Sequence, residues 1–390
     1  MHRPAHCPNP RCPNASDPPP RWVCRFGFYD STAHGRVQRY RCRSCHHTFS
    51  DQSLSLHYFA KRRLPLYAIW CSLLEGASLR EIARRYHTSP PTVQSALLRL
   101  GRQAMAAQLQ LLSALSERNC VVFDGLRSCL SSQDYPCDIT TVVDPLGETI
   151  LTMSHTVMRR GGTMTPAQRR CCEDKQRVWR PKRGAMSRDI SLVQQEIWSY
   201  LRPCDEQLPA LIDTDEHPLY RSRLRADPIA EHLRRCGQLE HRRTPGSAPR
   251  TIANRLFAVN YIDRLLRHRL KEHTRESIAI GRNATMQMHR AWIFAFDHNC
   301  LREYRVKHPQ LGCHSEQGAI SSELVHSLAR GFFRQRIEVR GLEVPETIRR
   351  VWLGKLDGPP LRWKVGQKGS SVRIPGYALR DLDGNYQHAA

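Results

Sequence analysis

Cys120-Val121-Val122-Phe123-Asp124-Gly125 is the stretch that decides the fold. Four apolar residues in a row stop abruptly at a carboxylate, the pattern of a central strand whose end enters a site. A turn is the plainer reading of Asp124-Gly125, since both residue types favour turns. Downstream, Asp138-Ile139-Thr140-Thr141-Val142-Val143 and Glu148-Thr149-Ile150-Leu151-Thr152-Met153 are β-rich, and Asp144-Pro145-Leu146-Gly147 joins them as a hairpin. A basic stretch, 159–188, interrupts the pattern; with Trp179 inside it, it reads as a DNA-contacting insertion or as a solvated loop. Cys171-Cys172 has no ligand partners at metal spacing. A helix is expected over 190–201. A second strand then ends in acids, Leu208-Pro209-Ala210-Leu211-Ile212-Asp213-Thr214-Asp215, with the strand expected to stop at Ile212 or Asp213. One more short strand is expected near 238–241, and a long helix over 254–273 that carries Asp263.

Strand with Asp, hairpin, helix, strand with Asp, helix with acid: this order suits an RNase H-like sheet that gathers three separated carboxylates. Phosphodiester cleavage needs an activated water and charge stabilisation on the leaving oxygen, and two Mg²⁺ about 4 Å apart provide both. Hard oxygen ligands suit that ion. The expected triad is Asp124, Asp215 and Asp263, with Asp215 preferred over Asp213. Asp263 also has a plainer reading as an i,i+4 ion pair with Arg267. Glu272 and Glu276 are the alternatives for the third acid. Glu272, nine residues on, points to the opposite face of a helix, and Glu276 lies about 20 Å along its axis.

Towards the N-terminus, Leu66, Ile69, Trp70, Leu73 and Leu74 recur at helical spacing, and Ser78-Leu79-Arg80-Glu81 reads as a capping box. A third helix is expected from Pro91, with Val93, Leu97, Leu98 and Leu100 inward and Thr92, Gln94, Ser95 and Arg99 outward. This pattern is a helix-turn-helix in which the last helix reads a DNA groove, or more plainly a three-helix bundle. Earlier still, Cys7 and Cys12 form a C-x4-C knuckle and Cys42 and Cys45 a C-x2-C knuckle. Four thiolates from two turns offer Zn²⁺ a tetrahedral cage, so the segment reads as a zinc ribbon; reduced structural cysteines or disulfides are the alternative.

The charge agrees with a polyanionic partner. Lys plus Arg number 60 against 36 Asp plus Glu, a net charge of +24, and only eight of the sixty are Lys. Arginine's planar fork suits phosphates and guanine edges. No apolar run is long enough for a membrane span, no hydrophobic signal region opens the chain, and fifteen cysteines point to a reducing cytoplasm.

The Tyr40-Arg41-Cys42-Arg43-Ser44-Cys45-His46-His47-Thr48-Phe49 knuckle, the helix-turn-helix, Thr214-Asp215-Glu216-His217-Pro218-Leu219-Tyr220 and the stretch from Asn260 to Asn299 resemble insertion-sequence transposases of the DDE type. The likeness covers roughly residues 5–300 and is to bacterial members with an N-terminal zinc ribbon. That family has Glu at the third acid, where this chain offers Asp263. The resemblance implies a multidomain chain: zinc ribbon over 1–56, all-α helix-turn-helix over 60–112, α/β RNase H-like catalytic core over 117–305 with a basic insertion near 158–188, and a C-terminal appendage over 306–390. It implies structural Zn²⁺ on Cys7, Cys12, Cys42 and Cys45, catalytic Mg²⁺ on Asp124, Asp215 and Asp263, and a homodimer or higher oligomer on double-stranded DNA in the bacterial nucleoid. The competing classes are a non-catalytic DNA-binding regulator or domesticated transposase, and a nuclease that does not join strands. In the tail, helices are expected over 322–328 and 344–353, and strands over 361–365 and 371–374.

Overall fold

The computed structural model describes residues 4–9, 11–115, 117–203, 208–274, 279–360 and 374–383. Strands β1 (Val23–Ser31), β2 (Gly35–Cys42) and β3 (Thr48–Ser50) form a three-stranded antiparallel sheet in that order. Among the described residues its core is Trp22, Tyr40, Phe49 and Leu54 around the cysteines, with Val23 against them and Trp22 and Phe49 stacked at 5.9 Å. So few side chains cannot offset the entropy of ordering some fifty residues, and cross-linking by a metal is the usual remedy.

Helices α1 (Leu66–Leu74), α2 (Leu79–Arg85) and α3 (Pro90–Ser113) follow. The Ser78 hydroxyl accepts the Glu81 N–H at 3.2 Å, which forms one half of the expected capping box. At 24 residues, α3 is far longer than a recognition helix needs to be. Its second half is buried even at Gln103 and Gln108, because those amides find backbone partners. Gln103 donates to the carbonyls of Phe332 (2.9 Å) and Gln335 (2.7 Å), and Gln108 donates to those of Ile150 and Leu151 (both 3.0 Å).

The main sheet consists of β4 (Cys120–Leu130), β5 (Ser132–Asp144), β6 (Thr149–Met153), β7 (Thr156–Val157), β8 (Ala210–Asp215) and β9 (Leu239–Thr244). Its order is β6-β5-β4-β8-β9, with β7 also paired to β5. The first three strands form an antiparallel meander, whereas β8 runs parallel to β4 and β9 parallel to β8. The direction changes where helices replace turns as connections: α4 (Pro166–Val178) and α5 (Ala185–Ile197) precede β8, and α6 (Pro218–Ala226) and α7 (Pro228–Arg235) precede β9. After the sheet come α8 (Phe257–Arg269), α9 (Ala284–Phe296), α10 (His314–Gln317), α11 (Ser322–Gly331), α12 (Glu346–Trp352) and α13 (Gly376–Asp383). No helix among the described residues is long and apolar enough to cross a membrane.

Each face of β4 belongs to a different core. Val121 and Phe123 pack with α5 and α6 through Ile190, Val193, Ile197, Tyr220 and Leu224. Val122 and Leu126 pack with α8 through Val259, Ile262 and Leu266, in a cluster that also takes in α1–α3, α9 and the C-terminal helices. Helices α1–α3 and the tail therefore share one apolar core with the sheet, and packing continues across the boundary expected near residues 112–117.

Several expectations change. β4 runs six residues beyond Asp124, because Leu126 and Leu130 are buried and pairing with β5 continues through Gly125↔Thr140 and Leu126↔Ile139. Asp124 is thus a mid-strand residue and not a strand tip. β8 ends at Asp215 rather than at Ile212 or Asp213. The basic stretch is no solvated loop: α4 is capped by Thr165 and Gln168, and buried Asp134 on β5 takes Arg160 and Lys175 at 2.5 Å each. The strands expected at 361–365 and 371–374 lie, except for Ile374, outside the described residues, as does Glu276.

Candidate carboxylate site and metal centre

The cysteines of the two knuckles converge. The Sγ atoms of Cys7, Cys12, Cys42 and Cys45 all lie within 4.8 Å of one another, with Cys7–Cys45 and Cys12–Cys42 both at 3.6 Å. These separations exceed any disulfide, and four soft thiols in one small cluster could hold a structural metal such as zinc. Burial pushes the Cys7 and Cys12 thiols up. Cys42 is pushed up by burial as well, but hydrogen bonds from Cys45 N–H and from Asn14 Nδ2 at 3.3 Å outweigh that and bring it down to about 6. One cysteine of the four is therefore poised as a thiolate, the form that ligates.

In the sheet, the register places the acids. Val122 on β4 is paired with Asp213 on parallel β8, so two residues further along Asp124 lies beside Asp215 on the same face. That face is covered by α8, whose Asp263 is buried, and the charge of Asp124 acts on Asp263. Burial first, and then the neighbouring Asp215 carboxylate, pushes Asp124 up to about 7. Burial and Asp124 raise Asp263 well above the carboxylate range. Like charges held together in a partly dry site are costly unless something positive neutralises them. Among the described residues, Asp263 Oδ1 is buried with no hydrogen-bond partner.

The two acids of β8 play different parts. Asp213 is held in a two-pronged pair by Arg242, at 2.7 Å to Oδ1 and 2.5 Å to Oδ2, with Cys120 Sγ at 3.6 Å. Among the described residues, the Asp215 carboxylate accepts the His217 N–H, at 2.8 Å, and no other hydrogen bond; that bond caps the turn into α6. Glu272 lies elsewhere, beside His273 and Arg290 at 3.9 Å each. Arg267, one turn beyond Asp263, makes no ion pair with it among the described residues.

Sequence reasoning passed over Asp138. It is buried, accepts the Thr140 hydroxyl at 3.0 Å, and pairs with Arg127 at 3.3 Å. A Cβ on Gly125 would meet Asp138 Oδ1 at 2.4 Å, so that glycine makes room for the carboxylate. Burial raises Asp138 to about 6, and its charge acts on Asp124 and Asp263. The signal was present, since Asp138 opens the hairpin strand, but only the pairing with β4 brings it beside Gly125 and Arg127, on the face of the sheet opposite Asp124. Arg250, exposed between β9 and α8, is the cation whose charge acts on both Asp124 and Asp263.

On α3, Ser95 is exposed, while Thr92 and Gln94 are half-buried, with Thr92 Oγ1 2.8 Å from Ser89 Oγ. Arg99 departs from its expected outward position. Its guanidinium donates to the carbonyls of Leu56 (2.9 Å) and Tyr58 (2.7 Å) and lies over the Tyr377 ring at 5.4 Å. It fastens the segment after the ribbon to α3 and α13, because α3 turns this residue towards the protein and not towards a groove. No protein-family model matches this chain, and no curated protein matches it either.

Proposed function

We propose that the protein is a DNA transposase whose ribbon and helix-turn-helix hold the ends of a mobile element and whose RNase H-like sheet cleaves and joins strands. The strand order β6-β5-β4-β8-β9, antiparallel on one side and parallel on the other, supports the fold reading. The observation that carries the catalytic reading is the register that sets Asp124 beside Asp215 on the face α8 covers, with buried Asp263 on that helix feeling the charge of Asp124 and its Oδ1 unpartnered among the described residues.

In this reading Asp124, Asp215 and Asp263 would hold Mg²⁺, which prefers hard oxygen donors. As they stand, the only group of three or more possible ligand atoms within 4.8 Å of one another among the described residues is the four cysteine sulfurs, so the carboxylates would draw together on the ion. When bound, that metal supplies water activation and stabilisation of charge on the leaving oxygen. The chain's own part is placement. β4 and β8 fix two carboxylates by register, α8 brings the third, and the Arg242 pair keeps Asp213 out of the set. Arg250 stands at the exposed rim, where a cation meets the incoming phosphate before the acids repel it.

The test is DNA nicking with Mg²⁺ alongside binding to the element's ends. Asp124→Ala, Asp215→Ala and Asp263→Ala should each bind DNA and abolish nicking. If all three variants cleave at the wild-type rate, the carboxylate reading is wrong. If the wild type binds DNA and never cleaves, the non-catalytic regulator takes its place.

A further inference from the structure

Between the ribbon and the segment that follows it lies a cavity of about 350 Å³ that the carboxylate site does not involve. Three arginines line it, Arg36 from β2, Arg63 ahead of α1 and Arg334 after α11, together with His34 and His57; the single acid is Asp51. Among the described residues, none of these five basic side chains lies within 4.0 Å of a carboxylate. The amide Nε2 of Gln52, also on the wall, is buried without a hydrogen-bond partner. The walls are fixed, since Arg336 N–H donates to the Leu54 carbonyl at 2.7 Å and His34 Nε2 lies 3.2 Å from the Ala60 carbonyl.

Three arginines against one acid, Asp51, with none of them within 4.0 Å of a carboxylate among the described residues, plus a free buried donor, describe an anion site. The rim favours a nucleic acid: Arg36 also lies 4.2 Å from the ring centroid of Phe28, which is 51% exposed. We infer that this cavity binds a backbone phosphate of DNA, clamped chiefly by Arg63 and Arg334, so that the junction of ribbon and helix-turn-helix grips the strand independently of its sequence. The inference rests on the DNA-binding part of the function proposed above. His57 agrees with it, because burial first and then the charges of Arg63 and His34 press it down to about 4, and an anion beside it reverses that pressure.

The experiment uses the full, zinc-loaded chain in two arms. In the first, inorganic phosphate is titrated while His57 is followed by NMR. Wild type should bind phosphate with an upward shift of the His57 pKa, and the double variant Arg63→Ala/Arg334→Ala should bind at least tenfold more weakly. This arm needs no DNA, and its wild-type half does not depend on the variant folding. In the second, duplex affinity is measured against salt; the double variant should lower the slope of log K against log [salt] by about one, the loss of one neutralised phosphate. No effect of phosphate on His57 overturns the site. Phosphate binding with an unchanged DNA slope overturns its assignment to DNA in favour of a free phosphate. A wild type that binds phosphate but no DNA overturns the proposed function and the DNA assignment together, while leaving an anion site.

Discussion

At the scale of single residues, two acids a dipeptide apart separate structure from chemistry. Asp213 is buried and doubly bonded by half-buried Arg242, so Asp213→Asn removes the charge from that pair and leaves the buried side chain with one oxygen for two donors. That substitution should cost about 1–3 kcal/mol of stability. Asp215→Asn keeps an oxygen for the His217 N–H, so it should melt within about 0.5 kcal/mol of wild type and lose nicking. Chemical denaturation and nicking on the same preparations decide it; equal stability losses would refute the division of labour. The cysteine cluster gives a second residue-scale prediction. Cys42 accepts the Asn14 amide and sits 3.6 Å from Cys12, so Cys42→Ser removes a ligand at the centre of the cage. Metal analysis should fall from about one zinc per chain to none, with loss of ordered signals confined to the ribbon. A ribbon that stays folded and zinc-free in wild type would contradict the metal reading.

At the scale of elements, α3 serves two masters. Its first turns offer Thr92, Gln94 and Ser95 to the outside, and from Arg99 onward it is a core helix. Arg99→Ala should therefore act mainly on stability, by about 1–3 kcal/mol for two lost hydrogen bonds and a stripped contact with Tyr377. A variant that melts like wild type but binds DNA poorly would restore the groove-reading role. Glu196 on α5 shows how elements are linked by a titrating group. Its Oε2 accepts the hydroxyls of Thr152 on β6 (2.9 Å) and Thr347 on α12 (2.5 Å), and it is buried. Burial outweighs those bonds and raises it from 4.5 to about 7. The folded-state value is above the unfolded one, so protonated Glu196 favours the native state. That contribution is fully present below about 4.5 and is lost as pH rises through about 7. Melting curves should show wild type losing stability across this window, and Glu196→Gln should remove that part of the slope. Parallel curves for the two proteins would rule the group out.

At the scale of the whole molecule, one apolar cluster runs from Leu56 to Leu382 and makes the helix-turn-helix, sheet and tail a single packed body. One close approach within it is the crossing of α3 and α9, where a Cβ on Gly101 would meet His289 Nδ1 at 2.2 Å and His289 Cβ at 2.8 Å. Gly101→Ala brings a helix-propensity gain of up to about 1 kcal/mol. Against it stands overpacking of about 1–3 kcal/mol, and because the obstructing atoms include a Cβ fixed to the backbone, overpacking wins. The variant should melt lower in one cooperative transition covering both the helical segment and the sheet. Two separated transitions would mean that the segments fold as independent units.

Much of this architecture was legible in local pattern. The spacing of Cys7, Cys12, Cys42 and Cys45 announced a cluster of four, continuous apolar or β-rich runs marked β4, β5, β6 and β8, and helical spacing or caps marked α1 and α2. Such signals are local because they report only which face of an element avoids water. What the tertiary structure alone decided was pairing. The register of β4 on β8 sets Asp124 beside Asp215, and Arg242 on β9 claims Asp213. β4 continues past Gly125 because its pairing with β5 continues, and at Gly125 the Asp138 carboxylate of that neighbour occupies the space a side chain would fill. Gln103 and Gln108 on α3 lie inside because distant carbonyls receive their amides. A buried polar group is affordable only where a partner stands, and the partner's position is a property of the folded whole.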